Sequence, residues 1–291
     1  MKKTFGESTF DILNIIALSI LGIITFYPFY YIFIYSISNP DLAAGGLTIY
    51  PKGITILNYL TIFKIQGIFH AAFISAARTV TGTVLTLTGC SLVAYGLSKN
   101  KLPLRKFMYR ALLLTMYINS GLIPWYLTMK AMGLRNNFLL YILPGTVVAF
   151  YVVLLKTYFE QLPPSIEESA MVDGANHFTV WRKLIMPMSR PILATVAIFQ
   201  AVGQWNGWTD NLYLCNNPKL QTLQLMLLNF LQSSSANAFE GRIVDTTQIT
   251  QITPTSVRMT ITIVVVLPVF LVYPLLQRHF IKGILLGAVK G

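Results

Sequence analysis

Apolar positions fall into six long runs along the chain, and shorter polar segments separate them. The runs cover residues 12–35, 71–97, 111–129, 138–159, 192–215 and 257–276. Since about 20 apolar helical residues span a bilayer core of about 30 Å, each run predicts a membrane-spanning helix. A cleaved signal peptide is the alternative for the first run, because Lys2 and Lys3 precede it. That run exceeds the about 7–15 apolar residues typical of such peptides, which favours a retained helix.

The second run is rich in small residues and contains one arginine. Small residues let helices approach closely in lipid, so we expect this helix to be buried among others. These residues are Ala76, Ala77, Gly82, Gly89, Ala94 and Gly96. Arg78 lies near the start of the run, where an unpaired guanidinium is costly. We expect its side chain to extend to the membrane interface, and the alternative is that it lines a polar path.

Helix-breaking residues interrupt the third and fourth runs. The third contains Asn119, Gly121 and Pro124, and the fourth contains Pro144. Such a break inside a span is tolerated where neighbouring helices or water satisfy the freed backbone groups. The break in the third run therefore predicts either a segment that lines a cavity or a simple packing kink, and the pattern does not separate the two.

A polar and charged segment, 163–191, lies between the fourth and fifth runs. Ser165 followed by Glu168 is a capping-box pattern that predicts a helix over 166–172, and Asp173-Gly174 predicts a turn. Apolar and basic residues then recur at helical spacing, which indicates a second helix that Pro187 ends. We interpret the segment as a helix–turn–helix at a membrane surface, with its tip at 168–174 facing a soluble partner. An ordinary amphipathic loop is the alternative.

Amides, a carboxylate and aromatic rings gather in the last part of the fifth run. They are Gln200, Gln204, Trp205, Asn206, Trp208, Asp210, Asn211 and Tyr213. Polar groups that face lipid are expensive, so we expect these side chains to face inward and line a translocation path. Sugars need this mixture, because aromatic faces meet C–H surfaces and amides or carboxylates meet hydroxyls. An aromatic belt at the bilayer edge is the alternative.

Composition supports a membrane protein. Hydrophobic residues make up 54% of the 291 residues and charged residues only 11%, against about 25% in soluble domains. The net charge of +12 could suggest nucleic acid, but its distribution indicates topology instead. With both termini cytoplasmic, the inner segments hold twice as many lysines and arginines as the outer ones, which fits the positive-inside rule. The segment 163–191 is then cytoplasmic.

Several classes of protein lack support in the sequence. No G-x-x-x-x-G-K-[ST] string occurs, so the chain carries no phosphate-binding loop. The three histidines are scattered, with no metal-binding pair and no nucleophile elbow, and the two cysteines indicate no disulfide framework. An ion-coupled secondary transporter is the main alternative, but such a carrier normally has ionisable groups near mid-membrane. Asp210, towards the outer end of the fifth run, comes nearest.

The tip of the polar segment resembles the EAA loop of ABC importer membrane subunits. Glu168-Ser169-Ala170, two residues, Asp173-Gly174-Ala175 and a later proline follow that pattern, with Ser169 in place of the usual alanine. In that family the loop is the coupling helix that contacts the ATPase subunit. The resemblance implies that role for Glu167, Glu168, Ser169, Ala170, Asp173, Gly174 and Ala175.

Over nearly its whole length the chain is similar to sugar-importer permeases of the maltose-transporter (MalG-like) type, and most to their LplC/YtcP branch. The shared motifs are Gly121-Leu-Ile-Pro124, Leu143-Pro-Gly145, the EAA stretch, the tryptophan-rich residues 202–210 and the terminal Gly287-Ala-Val-Lys-Gly291. The resemblance implies an all-α integral membrane protein with six transmembrane helices, the type I ABC importer permease fold and a cytoplasmic coupling helix. It divides the chain into 1–70, a transmembrane domain at 71–281 and a cytoplasmic tail at 282–291.

The same resemblance implies partners and a substrate. The chain would be a non-enzymatic permease subunit in a bacterial cell membrane, paired with a second, homologous permease. Two ATP-binding subunits would bind the ATP and magnesium, so no cofactor or metal is expected on this chain. An extracytoplasmic solute-binding protein would deliver a carbohydrate, most simply an oligosaccharide, and nucleic acid is not expected as a partner.

Overall fold

The computed structural model describes residues 5–43, 45–46, 49–232 and 253–288, with side chains at all of them except 5, 7–8 and 272–288. In chain order its helices are α1 (Phe5–Ser36), α2 (Pro40–Ala43), α3 (Leu57–Lys64), α4 (Ile68–Ser98), α5 (Arg105–Tyr117), α6 (Leu122–Ala131), α7 (Ala149–Phe159), α8 (Pro164–Val172), α9 (His177–Val180), α10 (Met186–Met188), α11 (Arg190–Asn206), α12 (Thr209–Leu214), α13 (Leu223–Gln232) and α14 (Pro254–Ala288). Within these residues the β-structure is limited to one isolated bridge, between Ser38 and Ile54.

Three helices in the described part of the chain are long and apolar enough to cross a membrane: Thr9–Ser36, Ile68–Ser98 and Pro254–Leu271. They confirm long helices for the first, second and last apolar runs. The paired segments His177–Met188 and Arg190–Asn206 meet at a bend of 84° and pass the same test together. The last helix continues to Ala288, beyond the predicted end at 276. The segment 216–256, which lies between the fifth and sixth apolar runs, and the predicted tail 282–291 lie partly outside the described residues.

The remaining three runs are interrupted, and the break in the third lies where its helix-breaking residues predict. Residues 118–121 separate α5 from α6, and Gly121 there has a φ of 77°. The fourth run consists of a 3-10 turn at Phe138–Tyr141 and then α7, with Pro144 in the non-helical stretch between them. The fifth run, predicted as one span, is divided at residues 207–208 into α11 and α12. Each break divides its run into two shorter helical segments.

The chain forms two compact units. One consists of Met1–Ile68 and Leu227–Leu267, and the other of Phe69–Met226 and Pro268–Gly291. In the first unit, Asn58 of α3 is buried, and its Nδ2 donates to the carbonyl oxygens of Ser36 (2.8 Å) and Ser38 (2.9 Å). These bonds hold the end of α1 against α3. The apolar side chains along most of α1 are exposed, as expected of a helix that faces lipid.

In the second unit α4 packs closely on its neighbours. A Cβ added at Gly89 would lie 2.6 Å from the Thr146 carbonyl oxygen, and one at Gly82 would lie 2.7 Å from Gln204 Nε2. The prediction that small residues allow close approach is therefore confirmed at these two positions, whereas Gly96 has open space beside it. The hydrophobic core around the second half of α4 contains Cys90, Ala94, Tyr95, Leu97, Val152, Leu155, Phe159, Val180, Trp181, Ile185 and Val196.

Candidate functional site

Arg78 of α4 is the centre of a buried polar cluster. Its guanidinium forms a bidentate pair with Asp210, with Nη2–Oδ2 at 2.7 Å and Nη1–Oδ1 at 3.2 Å. Nη1 also donates to the Gly207 carbonyl oxygen (3.0 Å), and Nε donates to Gln204 Oε1 (3.0 Å). The residue is only 3% exposed. The expectation that Arg78 extends to the membrane interface is therefore wrong, because these acceptors satisfy the charge where it lies.

The break between α11 and α12 builds this cluster. When a helix ends, its last carbonyl groups lose their intrahelical partners and favour a cation, which is what the Gly207 carbonyl meets in Arg78. Gly207 also lacks the side chain that would exclude the guanidinium, since a Cβ there would lie 2.7 Å from Arg78 Nη2. The break between α11 and α12 thus places the acceptors that bind the Arg78 guanidinium.

Tyr141 connects the cluster to the broken fourth run. The Arg78 guanidinium carbon lies 4.5 Å from the centroid of its ring, within the range of a cation–π interaction. Gln204 Nε2 donates to the Tyr141 carbonyl oxygen (3.0 Å), and the Tyr141 hydroxyl donates to the Leu220 carbonyl oxygen (2.7 Å). The side chain of Gln204 therefore bonds on both sides, to Arg78 and to Tyr141.

A cavity of about 230 Å³ lies against this cluster. Its walls are formed by Arg78, Trp125, Leu140, Tyr141, Pro144, Gly145, Gln200, Gly203, Gln204 and Asp210. Three of the residues predicted to line a path, Gln200, Gln204 and Asp210, lie at this wall. Of the two interpretations of the break in the third run, the cavity-lining one fits the position of Trp125, which follows Pro124 directly.

The other residues predicted for the path lie elsewhere. Asn211 is buried and holds the backbone together, donating to the Tyr141 hydroxyl (2.8 Å) and accepting from the Thr222 amide (2.9 Å). Trp205 and Trp208 are half-buried, and Asn206 and Tyr213 are exposed. None of these five is part of the cavity wall.

The sequence did not predict Trp125 and Tyr141 as wall residues. For Arg78 the polar path was only the alternative to the membrane interface. The lone arginine in an apolar run was the available signal for the cluster, because a buried guanidinium requires acceptors. The fifth run offered them at its polar end, in Gln204 and Asp210. Nothing local in the sequence distinguishes Tyr141 from the other tyrosines.

The helix at the start of the polar segment is α8, which begins at Pro164. The predicted helix is confirmed, but the predicted capping box is wrong: the N-cap is Pro163, and no side chain caps it. Proline suits the first helical position because its φ is already helical and it lacks an N–H group that would need a partner. Pro164 therefore starts the helix before Ser165, which lies inside the first turn.

α8 ends in a Schellman motif. The Ala175 amide donates to the Ala170 carbonyl oxygen (2.9 Å), and the Gly174 amide donates to the Met171 carbonyl oxygen (3.0 Å). Gly174 has a φ of +85°, in the left-handed region, and a Cβ there would meet no heavy atom within 4 Å. The motif therefore requires glycine for its backbone conformation and not for space.

Glu167 holds one side of α8 against the end of α4. Its Oε1 accepts from the Tyr95 hydroxyl (2.9 Å), and its Oε2 pairs with Lys99. His177 Nδ1 lies 3.9 Å from Oε1. The inner side of the loop is packed as well, since Ala170 and Ala175 contact the hydrophobic core.

The opposite side of the tip is open. Glu168, Ser169, Val172 and Asp173 are exposed, and Val172 is 87% exposed although it is apolar. Beyond the tip, the second helix runs from His177 through a π-helical segment at Trp181–Ile185 to Met188, so it ends directly after Pro187, close to the predicted end. The chain then turns by 84° into α11. The tip is thus packed on its inner side and exposed on its outer side.

The fold and these two sites define a class of membrane protein. Residues 89–285 match the family model described as binding-protein-dependent transport system inner membrane component. The chain belongs to this family and is a permease subunit of an ABC transport system.

Individual relatives cover the whole chain. Protein LplC of Bacillus subtilis (strain 168) is 34% identical, over 100% of this chain and 98% of its own length. The polygalacturonan/rhamnogalacturonan transport system permease protein YtcP of the same organism is 31% identical, over 97% of this chain and 98% of its own length. A crystal structure of a bacterial ABC transporter involved in the import of the acidic polysaccharide alginate matches with a TM-score of 0.88 and 29% identity. That match covers 96% of this chain and 99% of the other, and it confirms the permease fold.

Proposed function

We propose that this permease forms half of the translocation path of an ATP-driven importer of carbohydrate, most simply an oligosaccharide. The observation that carries the proposal is the tip of α8, which is held on its inner side by Glu167 and exposed on its outer side at Glu168, Ser169, Val172 and Asp173. A rigid helix with an exposed end suits docking to a separate nucleotide-hydrolysing chain. The polysaccharides for which YtcP and the alginate importer are named support carbohydrate as the substrate class.

The proposed assembly follows from this role. A second, homologous permease completes the path, two ATP-binding subunits hold ATP and magnesium, and an extracytoplasmic binding protein delivers the substrate. The chain crosses a bacterial cell membrane six times, with the third, fourth and fifth spans broken, and both termini are cytoplasmic. The distribution of lysine and arginine supports this orientation, because it places the segment 163–191 on the cytoplasmic side.

The mechanism that we propose is alternating access driven through α4. Closure of the ATPase subunits moves α8, and α8 moves the end of α4 through the contacts of Glu167 with Tyr95 and Lys99. Arg78 lies in the first half of α4, on the far side of its midpoint from Tyr95. At 1.5 Å per residue, Arg78 and Lys99 are separated by roughly 30 Å along the helix axis, about the thickness of a bilayer core. One stiff helix therefore connects the tip with the cavity wall.

The assembled complex in liposomes tests this function. Gly174→Leu should disrupt the left-handed turn that ends α8, so that ATP hydrolysis no longer drives carbohydrate uptake or the ATPase subunits fail to bind. Gly96→Leu is the matched control, since Gly96 lies in α4 with open space beside it and has no left-handed φ. Normal coupled uptake by Gly174→Leu would contradict the role of α8. Uptake driven by an ion gradient without the ATPase would contradict the function itself.

A further inference from the structure

We infer that the cavity beside Arg78 is a binding site for one uncharged pyranose ring, with Gln200 as the hydrogen-bonding residue and Trp125 as the aromatic surface. The inference rests on the proposed carbohydrate transport and deepens it, because it specifies the charge and the size of the unit that this chain contacts. Three features of the wall carry it: a side-chain amide that lies at the cavity without a partner among the described residues, the absence of free charge and the small volume.

Gln200 is the unpaired group. Its residue is 8% exposed, it lies at the cavity wall, and its side-chain amide has no hydrogen-bond partner among the described residues. Gly145 lies beside it, and a Cβ there would make an ordinary van der Waals contact, 3.6 Å from Gln200 Nε2. The amide atoms of Gln200 are not enclosed by the protein, so they can bond a molecule in the cavity. A ligand hydroxyl suits this amide, because it both donates to the amide oxygen and accepts from the amide nitrogen.

The charges at the wall are already paired. Arg78 and Asp210 form two mutual hydrogen bonds, and Gly207 and Gln204 accept two more from the guanidinium. The Asp210 carboxylate also accepts from the backbone N–H of Asn211 (2.8 Å). An anionic ligand would meet no free cation here unless it broke a buried bidentate pair. A neutral ligand binds without disturbing that pair, so the wall selects against a carboxylated ring.

The volume and the aromatic surface fit one ring. About 230 Å³ is below the about 300–1,000 Å³ of sites for drug-sized ligands, so the cavity holds a single unit of a longer chain. Trp125 at the wall is half-buried and offers a flat surface to the C–H groups of a pyranose. The Tyr141 ring is less available, because the Arg78 guanidinium already lies over it.

Gln200 and Gln204 form a matched pair for the test, one helical turn apart on α11. Gln204 bonds to Arg78 and Tyr141, whereas Gln200 bonds to neither. Gln200→Leu removes an amide that bonds no other described residue, so the melting temperature of the assembled complex should hardly change. Gln204→Leu leaves two partners unpaired and should lower the melting temperature. A structural role for Gln200 would instead lower stability in both variants.

Ligand binding is measured on the purified complex by saturation-transfer NMR. The probes are the methyl glycosides of glucose, galactose and mannose, each beside its uronic acid counterpart. We expect the neutral probes to bind and the uronides not to bind, and we expect Gln200→Leu to weaken neutral binding about fivefold to tenfold. Trp125→Ala should weaken it as well.

Three results would overturn the inference: uronides that bind as well as neutral rings, no binding by any neutral probe, or unchanged binding in Gln200→Leu. The proposed function fails in a different way, through the absence of ATP-dependent uptake by the wild-type complex in liposomes. If wild-type and Gln200→Leu complexes transport equally and no ring binds, the transport function stands and the binding site does not.

Discussion

Arg78 of α4 and Lys99, directly after the last residue of α4, each form an ion pair, and the two pairs differ in the burial of the cation and in the number of additional bonds. Arg78 and Asp210 are bidentate, with side chains 4% and 17% exposed, and neighbouring acceptors take up further guanidinium hydrogens. Lys99 and Glu167 meet through a single ammonium group, and their side chains are 27% and 16% exposed. Residue types alone would describe both as salt bridges. Burial and the number of additional bonds decide what each one does.

The first pair belongs to a closed network and the second to an open one. At Arg78, breaking one contact leaves a charge in a place that water barely reaches, so the network has one stable arrangement. At Lys99, whose side chain is 27% exposed, water can replace a lost partner. A cavity wall needs the first behaviour, and the docking role that we propose for the tip of α8 needs the second.

The largest loss of stability is expected when Arg78 is replaced. Arg78→Leu leaves the Asp210 carboxylate, which is 17% exposed, without its cation and should destabilise the protein by about 3–5 kcal/mol. Thermal unfolding of the purified complex in detergent measures the effect. The double variant Arg78→Leu/Asp210→Leu should recover most of the loss, because neither charge remains. Additive losses would show that the two side chains do not act as a pair.

A smaller loss is expected when Gly207 is enlarged, because the change crowds the hydrogen bonds of Arg78 without removing a charge. In Gly207→Ala the new methyl group would lie 2.7 Å from Arg78 Nη2, and the guanidinium, held by its acceptors, cannot move aside without losing them. We expect a loss of about 1–3 kcal/mol, measured as above. Gly203→Ala is the control, since a Cβ there meets no heavy atom within 4 Å. Equal stability of the two variants would mean that the guanidinium is free to shift.

At the tip, the corresponding glycine tests backbone conformation and not space. Gly174→Ala should destabilise the turn by about 1–2 kcal/mol, because an L-residue is strained at a φ of +85°. Gly174→Asn should lose less, since asparagine tolerates this region. Binding of the ATPase subunits, measured by co-purification, should follow the order glycine, asparagine, alanine. The reverse order for alanine and asparagine would indicate a requirement for small size.

The smallest effect on stability is expected at Lys99. Lys99→Met keeps the aliphatic stem and removes the charge, and partly exposed pairs contribute only about 0–1 kcal/mol. The melting temperature should hardly change, while the ratio of carbohydrate transported to ATP hydrolysed should fall if Glu167 transmits motion. A loss of stability as large as that of Arg78→Leu would mean that the two ion pairs contribute equally to stability.

Features that depend on residues close in the chain were predictable. Long apolar runs gave long helices at both ends of the chain and in α4, because a bilayer-spanning length is a local property of composition. The turn at Asp173-Gly174 was predictable for the same reason, since a Schellman motif closes within one helical turn. The capping box failed because a competing local signal, the proline before Ser165, starts the helix earlier.

The sequence by itself therefore determined the long apolar helices, the break in the third run and the glycine-ended tip of α8. Only the tertiary structure decided that the fifth run breaks at Gly207, that Arg78 meets Asp210, 132 positions away, and that Gln200 faces a cavity while its neighbour Gln204 is bonded. Hydropathy records whether a residue suits lipid or water, but not which distant residue it meets. That choice depends on how closely the segments approach, and Gly89 permits a close approach because a Cβ there would lie 2.6 Å from the Thr146 carbonyl oxygen.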